Sequence, residues 1–222
     1  EKPISSNFKF LKDERFKTLY KSKNVFESFM YLHHPAIEVL KKIISENSCL
    51  EFKTSFKVPH TDFGHYRYKK DEGGGSLLDQ GIYPISLILF LFKDKFQTLK
   101  KSIFHDKNLD VDLSGRIIGK TNTINKISME WALGQEYENY AEIVCTDKVI
   151  KFPFIFSKNE NDIYKYLEIQ NEITIEKELG LFDQFVKLYS DILNNKIKNF
   201  EYSKYEDLIY RYKFINNLHK GQ

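Results

Sequence analysis

Twelve residues hold most of the chemistry available to this chain. Gly73-Gly74-Gly75-Ser76-Leu77-Leu78-Asp79-Gln80-Gly81-Ile82-Tyr83-Pro84 joins a glycine triplet, a carboxylate and a phenol just ahead of a very apolar run. If that run is a helix, Asp79 and Tyr83 sit four residues apart on one face. A phenol beside a carboxylate at a glycine-rich helix start is able to relay a proton. The same spacing fits a glycine turn that only caps a buried helix, and spacing alone favours that simpler reading because such turns are common.

Other chemistries are disfavoured. The glycine triplet follows a loop and lacks the third glycine of a dinucleotide fingerprint, and no phosphate-binding GxxxxGK[ST] sequence occurs. The histidines are scattered except for the adjacent His33-His34 pair, whose side chains would point to different sides of an extended chain, so a zinc site is not expected. No GxSxG elbow is present, and neither Cys49 nor Cys145 lies in a nucleophile context. Two cysteines without a CxxC pattern suit a reducing compartment, so a cytoplasmic location is expected.

The elements that must position these residues can be read from periodicity. Residues 12–23 fit a solvated helix, Val25 to Tyr31 a short buried strand, and Ile37, Leu40, Ile43 and Ile44 an amphipathic helix over about 36–46. Phe52, Thr54, Phe56 and Val58 alternate with Glu51, Lys53, Ser55 and Lys57, a strand with one wet face. Pro59 to Gly75 reads as a long functional or disordered loop. Residues 76–92 read as a buried helix kinked at Pro84. Strands are expected around 99–103, 127–133, 140–145, 149–156 and 166–175. Two helices then follow, with apolar stripes Phe182/Phe185/Val186/Tyr189/Ile192/Leu193 and Tyr205/Leu208/Ile209/Tyr212/Ile215. The fold class is α+β: a mostly antiparallel, open-faced sheet of about five to seven strands with helices on one face, as a single domain over 1–222.

Composition agrees with a globular chain. The 222 residues carry a net charge of +3 with no dense basic cluster, which argues against nucleic acid. The apolar run Ile82 to Phe92 is too short to span a bilayer, so no membrane partner is expected. Aromatic residues make up 15% of the chain, but they fall at core periodicities rather than in one exposed patch, which argues against an aromatic carbohydrate-binding module. The opening Glu1-Lys2-Pro3 is charged and lacks an apolar leader and an initiating Met, so the chain reads as a piece of something longer.

At this point the residues meet a known pattern. Gly73-Gly74-Gly75, Asp79, Gly81 and Tyr83 resemble the signature of the Gfo/Idh/MocA oxidoreductases. Three further segments agree in order. Glu1-Lys2-Pro3 resembles the family's EKP, and Phe29-Met30-Tyr31-Leu32-His33-His34-Pro35 its FMYRxHP. Phe56 with Val58-Pro59, followed by Tyr66-Arg67-Tyr68, resembles the family's phenylalanine–proline and arginine–tyrosine segments. The resemblance covers the whole chain and implies a C-terminal substrate-binding and oligomerisation domain. An N-terminal Rossmann domain holding NAD or NADP would precede Glu1, with Lys2 and Pro3 touching the cofactor at the seam.

The resemblance also implies roles. Tyr83 is the acid/base, Lys2 assists proton transfer, and Asp79 hydrogen-bonds the substrate; Tyr31, His34 and Arg67 contact the substrate. The implied activity is NAD(P)-dependent hydride transfer at the hydroxyl or ketone of a sugar or nucleotide sugar. A homodimer or homotetramer would form through the open sheet face. The isolated domain would be inactive and bind no NAD(P)H, because it offers no dinucleotide cradle. The competing reading is a non-catalytic scaffold or dimerisation domain that keeps the fold. Two departures stand out: Leu32 occupies the family's arginine position, and Cys145-Thr146-Asp147-Lys148 replaces a glycine-containing turn.

Overall fold

The computed structural model describes residues 2–22, 25–92, 96–157, 162–194 and 204–219. One sheet organises them. Its eight strands are β1 (Cys49–Val58), β2 (Gln97–Asp106), β3 (Val111–Lys120), β4 (Lys126–Leu133), β5 (Glu138–Cys145), β6 (Val149–Pro153), β7 (Ile163–Gln170) and β8 (Ile173–Leu181). Their order is β2-β3-β4-β1-β5-β6-β7-β8. The β1–β4 pair is parallel, and the remaining neighbours are antiparallel.

The helices are α1 (Phe8–Leu11), α2 (Glu14–Lys21), α3 (Pro35–Glu46), α4 (Ile82–Phe92), α5 (Gln184–Leu193) and α6 (Tyr205–His219). Helix α4 lies against β1, β4 and α6. It is apolar nearly all round, and every residue but Leu91 is buried, each large side chain contributing about 1.5–3 kcal/mol of burial. The run 70–92 is long and apolar enough to cross a bilayer by length and composition, yet 83% of that window is buried within the fold, as befits a core helix.

The sheet has two unlike faces. Phe52, Phe56, Ile127, Met129, Trp131, Ala141 and Ile143 point toward the helices and are buried. The opposite face carries rows of alternating charge, in which Lys53 pairs with Glu142, Lys57 with Glu130 and Glu138, and Arg116 with Glu130. At the β2 edge, Lys101 donates to the carbonyls of Asn217 and Leu218 at 2.8 and 3.0 Å, a cation at a helix C-terminus.

Several expectations need correction. The sheet has eight strands rather than five to seven. Strand β3 went unread because Gly115 and Gly119 interrupt its pattern. The glycines are there for space: a Cβ on Gly115 would lie 2.1 Å from a Trp131 ring carbon, and one on Gly119 2.3 Å from a Phe96 ring carbon. The single strand expected at 166–175 is a hairpin, turned at Asn171 and Glu172 with φ of 48° and 66°. Residues 25–31 form no strand; the chain is irregular to Phe29 and then makes one 3₁₀ turn, Met30–His33. The loop 59–75 contains two such turns, Tyr66–Tyr68 and Lys70–Glu72.

The kink expected at Pro84 takes the form of a wide π turn at Leu77–Gly81, continuous with α4. Along α5 the buried face is Gln184, Leu188 and Asp191, while Val186, Tyr189 and Leu193 of the expected stripe are exposed. The Cys145–Lys148 segment closes a tight β5–β6 turn through a 2.8 Å bond from the Cys145 amide to the Lys148 carbonyl. Cys49 and Cys145 face one another as free thiols, sulfurs 3.8 Å apart.

Candidate active site

The glycine triplet builds the site by letting the backbone approach itself. The Gly75 amide donates to the Arg67 carbonyl at 2.9 Å, and the Gly74 amide to the Lys69 carbonyl at the same distance. A Cβ on Gly74 would lie 2.6 Å from the Tyr66 carbonyl oxygen. Gly75 itself has φ of +114°, a conformation that side chains disfavour. The fold-back places the Arg67 guanidinium on Asp79.

Asp112 of β3 anchors the other end of the turn. Its buried carboxylate accepts from the Ser76 hydroxyl at 2.7 Å and from the Leu77 amide at 2.6 Å. Trp131 of β4 completes the support. Its ring lies against both Gly81 and Gly115, where a Cβ would collide with it. The start of the site helix is thereby fitted to the sheet.

Asp79 is the hub. Arg67 donates through Nε to Oδ2, and Gln80 donates to the same oxygen at 2.6 Å. The Lys2 ammonium donates to Oδ1 at 3.1 Å and to the Asp79 backbone carbonyl at 2.5 Å. That carbonyl lies five residues before Pro84, which has no N–H to satisfy it in the wide turn. Proline thus leaves an acceptor that lysine takes. Lys2 also lies over the face of the Tyr83 ring, 4.3 Å from its centroid, a cation–π contact.

The electrostatics follow from burial and pairing. Burial pushes the Asp79 carboxyl up, but Lys2 and Arg67 outweigh it and hold the group below the usual carboxylate range. For Lys2, burial dominates and lowers the ammonium pKa; Asp79 works in the opposite direction, and the Arg67 charge adds to the lowering. Two cations against one carboxylate leave this corner with a net positive charge. Such a corner favours an oxygen that becomes negative.

Tyr83 is 7% exposed and is packed by Phe29, Tyr31, Phe56 and Phe156. With Lys2 it lines a pocket of about 260 Å³, whose other walls are Phe26, Ser28 and Met30 and the α5 residues Phe185, Leu188, Tyr189 and Ile192. Helix α5 is held near by a 2.9 Å bond between His33 Nδ1 and Asp191.

The structure therefore brings Lys2, Arg67, Asp79 and Tyr83 together, with the half-buried Pro3 following Lys2. It places two expected substrate contacts elsewhere. Tyr31 is fully buried, its hydroxyl 2.8 Å from Ser86 Oγ and 3.3 Å from the Tyr83 carbonyl. His34 is 3% exposed; its Nδ1 accepts from the Ala36 amide and so caps α3, and its ring lies on Tyr164. Neither lines the pocket, because both point into the core. Glu1 lies outside the described residues.

Sequence reasoning missed Gln80, Asp112, Ser86 and the whole apolar wall. The wall comes from two segments more than 150 residues apart in sequence, and no local pattern joins them. Among the described residues no cluster of three or more His, Cys, Asp or Glu side chains is arranged for a metal.

Known proteins share this fold. Residues 48–151 match the family profile described as GFO/IDH/MocA C-terminal domain. A curated dTDP-3,4-didehydro-2,6-dideoxy-alpha-D-glucose 3-reductase from Actinomadura kijaniata is 32% identical over 120 residues, covering 52% of this chain and 36% of that protein. The enzyme of the same description from Streptomyces antibioticus is 25% identical over 145 residues, covering 64% of this chain and 44% of that one. This chain thus spans less than half the length of these relatives.

Among solved structures, KijD10, a 3-ketoreductase from Actinomadura kijaniata in complex with NADP and TDP-benzene, superposes with a TM-score of 0.86 at 20% identity, covering 99% of this chain and 69% of that one. An aldose–aldose oxidoreductase from Caulobacter crescentus complexed with glycerol gives 0.75 at 13% identity, covering 99% and 68%. Residues 48–151 are thus similar to the C-terminal domain of the Gfo/Idh/MocA family, and the described residues share the fold of these solved structures.

Proposed function

We propose that this domain forms the substrate half of an NAD(P)-dependent oxidoreductase that reduces the ketone of a nucleotide-linked sugar, with Tyr83 as the acid. The observation that carries the reading is that Lys2, which lines one pocket together with Tyr83, also lies over the Tyr83 ring and is bound by the Asp79 carboxylate that Arg67 shares. The similarity to dTDP-sugar 3-reductases supports the substrate class.

NAD or NADP supplies the hydride when bound. The glycine triplet follows a loop rather than a strand end, so the described residues lack the strand–GxGxxG–helix order of a dinucleotide cradle. They fit only the reacting end, at Lys2 and Pro3. A Rossmann domain N-terminal to Lys2 would hold the rest of the cofactor.

A ketone oxygen seated at this corner would gain negative charge as the carbonyl is reduced. The Tyr83 hydroxyl gives that oxygen its proton. The Lys2 ammonium stabilises the phenolate left behind and the growing oxyanion. Asp79 keeps both cations in register and offers an acceptor to a substrate hydroxyl. Arg67, engaged by Asp79, adds positive field to this corner. Tyr31 acts one step back by fixing the Tyr83 carbonyl, and His34 by fixing α3.

The test is turnover of a 3-keto nucleotide sugar with NADPH by the whole protein, wild type against Tyr83→Phe. A tyrosine variant as fast as wild type removes the assigned role. The charged rows on the open face are proposed to meet a second copy in a homodimer or homotetramer, and a reducing, cytoplasmic setting suits the free thiols. Sedimentation of the chain tests the assembly.

A further inference from the structure

Behind the site lies a buried ionic cluster that the proposed reaction does not use. Glu27 and Arg211 have side chains only 1% exposed, and Arg211 donates through Nη2 to Glu27 Oε2. The Tyr212 hydroxyl donates to Glu27 Oε1 at 2.6 Å. The same oxygen accepts from the Ile4 amide at 3.1 Å. Elements far apart in sequence, the 25–29 segment and α6, thus converge on the backbone at Ile4.

A buried ion pair is a poor way to gain stability, since apolar replacements of the same volume are often neutral or better. What this cluster supplies is direction. A carboxylate fixed by two donors presents its remaining lone pair to one backbone amide at one angle. Ile4 is two residues from Lys2, a lever of at most about 7 Å. The cluster also touches the site from behind. The Arg211 guanidinium lies over the Phe29 ring at 5.1 Å, and Phe29 meets Tyr83 edge-on at 6.4 Å.

We propose that Glu27 is a positioning residue: clamped by Arg211 and Tyr212 of α6, it holds the backbone that aims the Lys2 ammonium at Asp79 and Tyr83. The inference rests on the reading of Lys2 as a site residue. It deepens that reading by making the last helix of the described chain a support of the first site residue.

The experiment is pH-dependent acylation of the Lys2 amine with N-acetoxysuccinimide, followed by peptide mass spectrometry, in the whole protein as wild type, Glu27→Gln and Tyr212→Phe. The plateau rate reports access to the amine, and the midpoint reports its pKa. The charged groups facing Lys2 are Asp79, Arg67 and Glu27; Tyr83 and Tyr189 share its pocket.

Two opposed effects make the sign decisive. If Glu27 tethers Lys2, its loss releases the amine into water. Burial is the dominant depressing influence, so the midpoint rises toward the free lysine value, and the plateau rate rises several-fold. Tyr212→Phe shifts both in the same direction by less. If Glu27 is only a nearby negative charge or core filler, Lys2 stays in place and the midpoint falls or stays unchanged at an unaltered plateau. That result overturns the proposal. Should Glu27→Gln not fold, Tyr212→Phe, which keeps the ion pair, carries the test by the same criterion. Labelling reads Lys2 without turnover, so a failed reductase assay and a failed tether give different signatures.

Discussion

At the residue scale, one carboxylate decides whether two cations can share the corner. Asp79→Asn leaves Lys2 and Arg67 facing each other without a counter-charge. We expect a loss of about 2–3 kcal/mol in urea unfolding, below the figure for full burial because the carboxylate keeps some contact with water. The pH dependence follows from the sign of the shift. The folded pKa of Asp79 lies below the unfolded value of about 3.9, so its contribution is complete above about pH 4 and is lost as pH falls through the lower folded value. Melting curves of the wild type should therefore steepen their decline below about pH 4, and Asp79→Asn should decline less there. Equal acid slopes would show that the triad adds nothing. Lys2 has the opposite sense. Its depressed pKa means that holding the ammonium costs stability at neutral pH, and that cost is relieved as pH rises between the folded value and the ordinary lysine value of 10.5.

At the element scale, the site depends on a sheet that tolerates a large ring only because glycine faces it. Gly115→Ala forces the added methyl into Trp131, and Trp131 also abuts Gly81 at the start of the site helix. We expect a loss of about 1–3 kcal/mol, with a change in tryptophan fluorescence, since Trp131 is the one tryptophan in the chain. An unaltered emission spectrum and unaltered stability would disprove the fit.

The elements also show what a single sequence makes legible. Strands β1 and β4 could be read because one face of β1 is wet and β4 alternates cleanly. Strand β3 could not, because its glycines serve a neighbour's side chain rather than its own backbone. The β7–β8 turn was hidden because Asn171 and Glu172 take positive φ without glycine. The Val25–Tyr31 stretch is apolar because it wraps the core and walls the pocket, not because it pairs with a strand. For the site, the motif around Asp79 and Tyr83 was legible through its resemblance. Asp112, Gln80 and the α5 wall were not, because they join the site only through tertiary packing.

At the scale of the whole molecule, the domain is a sheet with one covered face and one charged face. Lys53, Lys57 and Arg116 pair with Glu130, Glu138 and Glu142 across the charged face, the surface proposed to meet a second copy. Sedimentation should give a multiple of 26.4 kDa, and Lys57→Glu, which places three carboxylates together, should shift the protein toward monomer. A wild-type monomer at high concentration would rule out assembly through this face.

The proposed chemistry turns on the phenol of Tyr83 in the pocket wall. Its most direct test is the single-turnover rate of a 3-keto nucleotide sugar with NADPH, measured for wild type and Tyr83→Phe in the whole protein with folding verified by circular dichroism. Loss of the proton donor should slow the reduction by about 10²–10⁴-fold while leaving substrate binding nearly unchanged. A phenylalanine variant that reduces the ketone at the wild-type rate would contradict the account.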